Sequence, residues 1–238
     1  MRGKFIVFEG GEGSGKTTQI QKLYQWLETW SKTQEATKLL RTKDNFSGVK
    51  LTREPGGTKL GKQIRQLLLN PSDAIAIASK TELLLYAADR AQHVEETLIP
   101  WLEDGYWVLC DRYTDSTVAY QGYGRQLDLD LIHQLNQIAT SQLKSDLTFW
   151  LNVPPSVGLA RMHQRGQADR IEQANAAFHQ RVNDGFTALA KPTDRDTYPL
   201  GIHPLSSGLT VEIPGDRSIE AIAEHIQQVL QQKISDWF

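Results

Sequence analysis

Eight consecutive residues, Gly10-Gly11-Glu12-Gly13-Ser14-Gly15-Lys16-Thr17, carry the densest chemical signal in the chain. They fit the spacing G-x-x-x-x-G-K-[ST], in which small residues let consecutive backbone N–H groups curl around an anion. A helix starting there adds its positive end. Lys16 is placed to reach the outer phosphates of a nucleoside triphosphate, and the Thr17 hydroxyl to ligate Mg²⁺ directly. Thr18 extends the same nucleotide-binding run. A chance glycine-rich turn is the competing reading. Context weighs against it, because the run follows the strand-like Phe5-Ile6-Val7-Phe8 and opens an amphipathic helix. Nucleoside triphosphate binding follows, although not the reaction that uses it.

Three further clusters bear on the reaction. Thr52-Arg53-Glu54-Pro55-Gly56-Gly57-Thr58 follows a second strand-like run. Tyr86-Ala87-Ala88-Asp89-Arg90 lies in a helical pattern. Asp111-Arg112-Tyr113 closes a third strand-like run, with Ser116-Thr117-Val118-Ala119-Tyr120-Gln121-Gly122 downstream. In an open parallel sheet, ligands bind outside the carboxyl ends of the strands, so the first and third clusters share an edge with the phosphate loop. A switch GTPase would need D-x-x-G and N-K-x-D segments, and the chain has neither. A small kinase is the better fit.

In these segments the chain resembles the thymidylate kinases, within the nucleoside monophosphate kinases. T-R-E-P-G-G-T, Y-A-A-D-R, D-R-Y and S-T-V-A-Y-Q-G occur in order, followed by D-R-I-E at 169–172 with Phe178 and Arg181 beyond it. The resemblance covers nearly the whole chain apart from two polar stretches. It implies transfer of the ATP γ-phosphoryl group to dTMP, with Mg²⁺, in a cytoplasmic homodimer. Glu12 then matches an acid near the deoxyribose 3′-hydroxyl. Arg53 matches an arginine on the acceptor phosphate, and Arg112 one beside that phosphate and the donor. Tyr86 takes the place of an aromatic that stacks on thymine. Arg90, Thr117 and Gln121 align with residues on the base edge, and Tyr120 belongs to the same acceptor set. Asp111 matches a carboxylate at the metal and phosphate site.

Elementary chemistry points the same way. A phosphate monoester has its second pKa near 6, so the acceptor is already mostly dianionic at neutral pH and needs no general base. It needs relief from repulsion between two polyanions and in-line positioning. Arginine grips phosphate oxygens at two points and never deprotonates. Lys16, Arg112 and a lid arginine are therefore expected at the transition state, with no catalytic triad. The lid carries Arg161, Arg165 and Arg170. In the resembled family, glycine rather than arginine at the position of Gly13 goes with a catalytic arginine in the lid. Arg165 and Arg170 are favoured over Arg161.

The elements that must position these residues alternate along the chain. Short runs at 5–8, 49–52, 107–110, 147–151 and 209–213 read as strands, those at 5–8 and 107–110 as buried ones. Ile20, Leu23, Tyr24, Leu27 and Trp30 give one helix face, a long helical pattern covers about 79–102, and others follow near 130–140, from Ser156 and over 219–237. A polar loop is expected after Arg112. The expectation is an α/β fold of the P-loop NTPase kind: a central five-stranded parallel sheet flanked by helices, with a helical lid over about 156–175. One domain over 1–238 accounts for the chain, with polar insertions at about 31–47 and 191–208.

Composition supplies the exclusions. The 238 residues hold 26 Lys and Arg against 28 Asp and Glu, so no cationic excess favours a nucleic-acid backbone. The one cysteine, Cys110, rules out an internal disulfide and reads as an inert core thiol. No apolar run reaches the roughly 18 residues of a membrane span. Met1 leads directly into a strand without a targeting segment, which suits a reducing compartment. Trp26, Trp30, Trp101 and Trp150 read as packing residues. His93, His133, His163 and His203 lack metal-ligand spacing and receive no role. Asn152 stands where the resembled family commonly has Asp. Two rival readings stay open: a kinase for another small acceptor such as dUMP or an alcohol, and a non-catalytic ATP-dependent switch.

Overall fold

The computed structural model describes residues 2–34, 36, 46–70, 76–164, 166, 169–190 and 209–237. Five strands form one parallel sheet in the order β2-β3-β1-β4-β5. They are β1 (Phe5–Glu9), β2 (Val49–Arg53), β3 (Trp107–Asp111), β4 (Leu147–Asn152) and β5 (Leu209–Pro214). β1 lies at the centre, with Phe8 in register with Asp111 on one side and Phe149 on the other.

Side chains alternate across a strand. Ile6 and Phe8 enter one core with Leu23 and Leu27 of α1 (Lys16–Trp30) and Ile226 and Leu230 of α9 (Ile219–Trp237). Phe5 and Val7 enter the opposite core with Val94, Leu98, Val108 and Cys110. Burial on both faces is why β1, β3 and β4 read as nearly unbroken apolar runs, whereas the edge strands β2 and β5 are only partly buried and carry Lys50 and Glu212.

The remaining helices are α2 (Lys59–Leu69), α3 (Ser79–His93), α4 (Ile99–Glu103), α5 (Thr114–Thr117), α6 (Leu129–Thr140), α7 (Pro155–His163) and α8 (Ala176–Ala190). The expected helix over 79–102 is present, widened by a π turn at Val94–Leu98 in which Ile99 N–H reaches back to Val94 O. The wider turn precedes Pro100, which has no N–H to continue an α ladder.

Two expectations change. The segment after Arg112 is not a loop. α5 leads into a π helix at Val118–Gly124, because Ala119 and Tyr120 bury against Phe178, Val182 and Phe186 of α8. α2 was not anticipated either. It starts at the Thr58 side chain, which accepts from Gly61 N at 2.9 Å, and it buries Ile64 and Leu68. Most of the 31–47 insertion, all of 191–208 and Arg165 lie outside the described residues.

Candidate active site

Because all five strands run parallel, Glu9, Arg53 and Asp111 end on one edge of the sheet. The phosphate loop leaves β1 there. Gly10, Gly13 and Gly15 have φ of 142°, 66° and 90°, values that turn the backbone around on itself and suit glycine. A Cβ on Gly13 would lie 2.2 Å from Gly158 O of α7, and one on Gly158 would lie 2.2 Å from Glu12 O. α7 is therefore seated on the loop, and that seat leaves no room for an arginine at position 13.

Lys16 is buried, and its Nζ donates to Gly10 O at 3.0 Å, Gly11 O at 2.8 Å and Ser14 Oγ at 3.2 Å. Burial and the nearby Arg112 bring its pKa down to about 8 against the pull of Glu12, Asp111 and Glu9. Thr17 Oγ1 donates to Asp111 Oδ2 at 3.3 Å, while Asp111 Oδ1 is buried with no hydrogen-bond partner among the described residues. A hydroxyl beside an unsatisfied carboxylate oxygen is a hard-oxygen donor set that suits Mg²⁺, which takes one or two protein ligands and completes its shell from water and phosphate.

Arg112 follows β3 with φ of 71°, an uncommon value for a long side chain. Its guanidinium stands at the junction of two clefts. It donates to Gly10 O at 3.0 Å, Ser116 Oγ at 3.1 Å, Tyr120 Oη at 3.1 Å and Glu12 Oε1. Tyr120 also donates to Glu12 Oε1 at 2.8 Å. Burial opposes ionisation of Glu12, but Arg112 and Lys16 outweigh it and hold the carboxyl at about 2. Glu9 anchors this corner from beneath. Its carboxylate accepts from Tyr113 N at 2.7 Å, Ser116 N at 3.2 Å and Ser116 Oγ at 2.6 Å.

Two clefts meet at Arg112. One, the phosphate-loop cleft, is lined by residues 12–19 of the loop and helix start with Arg53, Asp111, Arg161 and Arg217. The other is lined by Tyr86, Arg90, Thr117, Tyr120, Gln121 and Ile171 among others. Glu12, Glu54, Arg65, Arg112 and Asp169 face both.

The residues of the second cleft are held tightly. Arg90 is buried and donates to Glu54 Oε2 at 2.7 Å, Thr117 Oγ1 at 2.8 Å, Asn136 Oδ1 at 2.7 Å and Tyr113 O at 2.8 Å. That leaves one of its five N–H groups for a ligand. His93 fixes the other oxygen of Glu54 at 2.9 Å through Nδ1, so it has a positioning contact that spacing alone did not suggest. Tyr86 is half-buried in the cleft wall. Asn152 lies at the end of β4 and donates to Glu212 at 2.7 Å.

The lid arginines part company. Arg161 reaches the loop, with Nη1 3.4 Å from Gly13 O. Arg170 is bound elsewhere, to Leu68 O at 2.7 Å and to Glu82. Reading the sequence also missed Glu9, Arg65, Glu82 and His179. Arg65 lies on the unanticipated α2, with Nη1 3.0 Å from Pro55 O. Glu82 is fully buried. His179 is buried beside Gly11 and Glu12, with Nε2 unpartnered among the described residues.

Comparison with known proteins is consistent along the chain. A family model described as thymidylate kinase matches residues 8–200. A thymidylate kinase of Trichodesmium erythraeum is 52% identical over 240 residues, covering 100% of this chain and 99% of that protein. One of Acaryochloris marina is 48% identical over 245 residues, covering 100% of both. The crystal structure of a thymidylate kinase from Ehrlichia chaffeensis superposes with a TM-score of 0.65 at 32% identity, covering 97% of this chain and 100% of that one.

Proposed function

The chain belongs to the thymidylate kinase family and phosphorylates dTMP to dTDP with ATP, and from that premise we propose the part each residue plays. The observation that carries the assignment is Arg112, whose guanidinium stands where the donor and acceptor clefts join.

The loop N–H groups of residues 10–18 and Lys16 bind the ATP phosphates, with Lys16 exchanging its carbonyl partners for phosphate oxygens. Thr17 and Asp111 would hold Mg²⁺, which when bound offsets phosphate charge. Arg65, which faces both clefts, and Arg53, which of these two clefts lines only that of the phosphate loop, are assigned to the acceptor phosphate, which arrives as a dianion and needs no base. Arg112 bridges both reactants and follows the charge as the phosphoryl group moves between them. Glu12 holds Arg112 and Tyr120 in place and offers its second oxygen to the sugar hydroxyl. Tyr86 stacks on the base, while Arg90, Thr117 and Gln121 read its edge.

Arg165 and Arg170 are the lid arginines assigned to the transferring group, with Arg161 third. Arg170 would have to leave Glu82 to arrive there. Alanine at each of the three in turn separates them: the one that acts lowers kcat by more than about tenfold, or 1.4 kcal/mol, and the assignment fails if none does.

One catalytic domain spans the chain, with its lid at about 156–175, and works in the cytoplasm as a homodimer. Support for the dimer comes from α3, which packs between α2 and α6. All three helices leave large apolar residues exposed, Leu60 and Leu67, Leu84, and Leu131 and Ile138. No helix among the described residues is long and apolar enough to cross a membrane.

Turnover with dTMP, dUMP, dGMP, dCMP and AMP in a coupled ADP-release assay tests the acceptor. dTMP should give the highest kcat/KM. Turnover with another acceptor and none with dTMP would remove the assignment.

A further inference from the structure

We propose that Glu82, which touches no substrate, sets the choice of base by fixing which end of the Gln121 carboxamide faces the acceptor; this rests on reading Gln121 as a base contact. Glu82 is fully buried on α3, and both its oxygens are engaged. Oε1 accepts from Gln121 Nε2 at 2.9 Å and from Arg125 Nε at 3.1 Å. Oε2 accepts from Arg125 Nη2 at 3.1 Å and from Arg170 Nη2.

A carboxylate between two guanidinium groups stays ionised and has no hydrogen to donate. Burial works against that charge, yet the hydrogen bonds from Arg125, Gln121 and Arg170 keep the Glu82 carboxyl below its ordinary range. Gln121 must therefore turn its nitrogen toward Glu82. The carboxamide oxygen has no hydrogen-bond partner among the described residues, and Gln121 lines the acceptor cleft beside Tyr86 and Thr117. Turning the amide over would set its oxygen against a buried carboxylate oxygen, losing one hydrogen bond and adding repulsion.

The locked oxygen can only accept. Thymine carries a hydrogen on N3, whereas cytosine has a lone pair there. Gln121 then accepts from the first and repels the second, so discrimination comes from a built-in mismatch as well as a match. Glu82 is a positioning residue, and its effect should appear as specificity.

The experiment measures kcat/KM for dTMP and dCMP at saturating ATP with the full chain. Glu82→Gln gives the amide a partner that can donate or accept. It should lower the dTMP to dCMP ratio by at least about tenfold. A merely structural role would lower both acceptors together, and an unchanged ratio overturns the proposal. The swap E82Q/Q121E exchanges the charge: the amide introduced at position 82 donates to the carboxylate introduced at position 121, whose other oxygen still presents an acceptor to the base. Its ratio should stay within about twofold of the unaltered protein, and a collapse overturns the proposal. Should Glu82→Gln fail to fold by circular dichroism, the swap decides, since it keeps the buried charge. Arg125→Gln removes one partner of Glu82 but not the lock, so its ratio should hold; a loss equal to that of Glu82→Gln overturns the proposal. Gln121→Leu tests the underlying reading. If the KM for dTMP does not rise, Gln121 is not a base contact and the proposal falls with it.

Discussion

At the scale of single residues, the site works because charges are placed before any ligand arrives. Arg112 is oriented by Glu12, Ser116 and Tyr120, and Glu9 fixes Ser116 in turn. Lysine at 112 would keep the charge and lose the fork that spans two reactants. Arg112→Lys should lower kcat by at least about 100-fold, or 2.7 kcal/mol, in steady-state kinetics; a loss under tenfold would show that one point charge suffices. Asp115 offers a test of the same corner by pH. Burial, with Glu9 adding to it, raises its carboxyl from 3.8 to about 8, while Arg90 pulls the other way. In the unfolded chain it titrates near 4. The folded protein thus binds more protons between about pH 4 and 8, and stability from this group is full below that window and falls as pH rises through it. Asp115→Asn removes the titration, so its urea midpoint relative to the unaltered protein should rise from pH 5 to pH 8. A constant difference would mean that Asp115 ionises alike in both states. None of this electrostatics could be read from residue order, since Glu9 and Ser116 are 107 residues apart.

Elements determine which of these residues meet. α7 rests on the phosphate loop through Gly13 and Gly158, each too close to opposing backbone for a side chain. Gly158→Ala should therefore act as a lid and loop mutation. The KM for ATP should rise about tenfold or more, the KM for dTMP should move less, and stability should fall by about 1–3 kcal/mol. Equal changes in both KM values would show that the contact is not confined to the donor side. Most elements were legible, because β1, β3 and β4, buried on both faces, are nearly continuous apolar runs and helices such as α1 carry one regular apolar face. α2 was missed because its few buried positions follow a Pro-Gly-Gly turn. The helical stretch over 114–124 was missed because its burial comes from α8, far along the chain.

For the whole molecule, the proposed dimer would cover the exposed leucines of α2 and α3 and Ile138 of α6. Leu84→Glu should convert a dimer to a monomer in sedimentation velocity at micromolar concentration. A dimer that persists would place the interface elsewhere. The near-balance of charge also acquires a spatial meaning. Arg53, Arg65, Arg112 and Arg161 converge on one pair of clefts, where two polyanions must be brought together.

Residue order alone locates the phosphate loop, the five-stranded parallel sheet and the edge at which Arg53 and Asp111 end. Those features depend on local spacing and on strand direction, which residue order records. The partners come from packing between distant segments: Glu82 is buried between Arg125, Arg170 and Gln121, His93 holds Glu54, and Gly158 seats α7 on the loop. A buried charge and a solvated one have the same letter in the sequence. What distinguishes them is which distant groups surround them, and packing alone sets that.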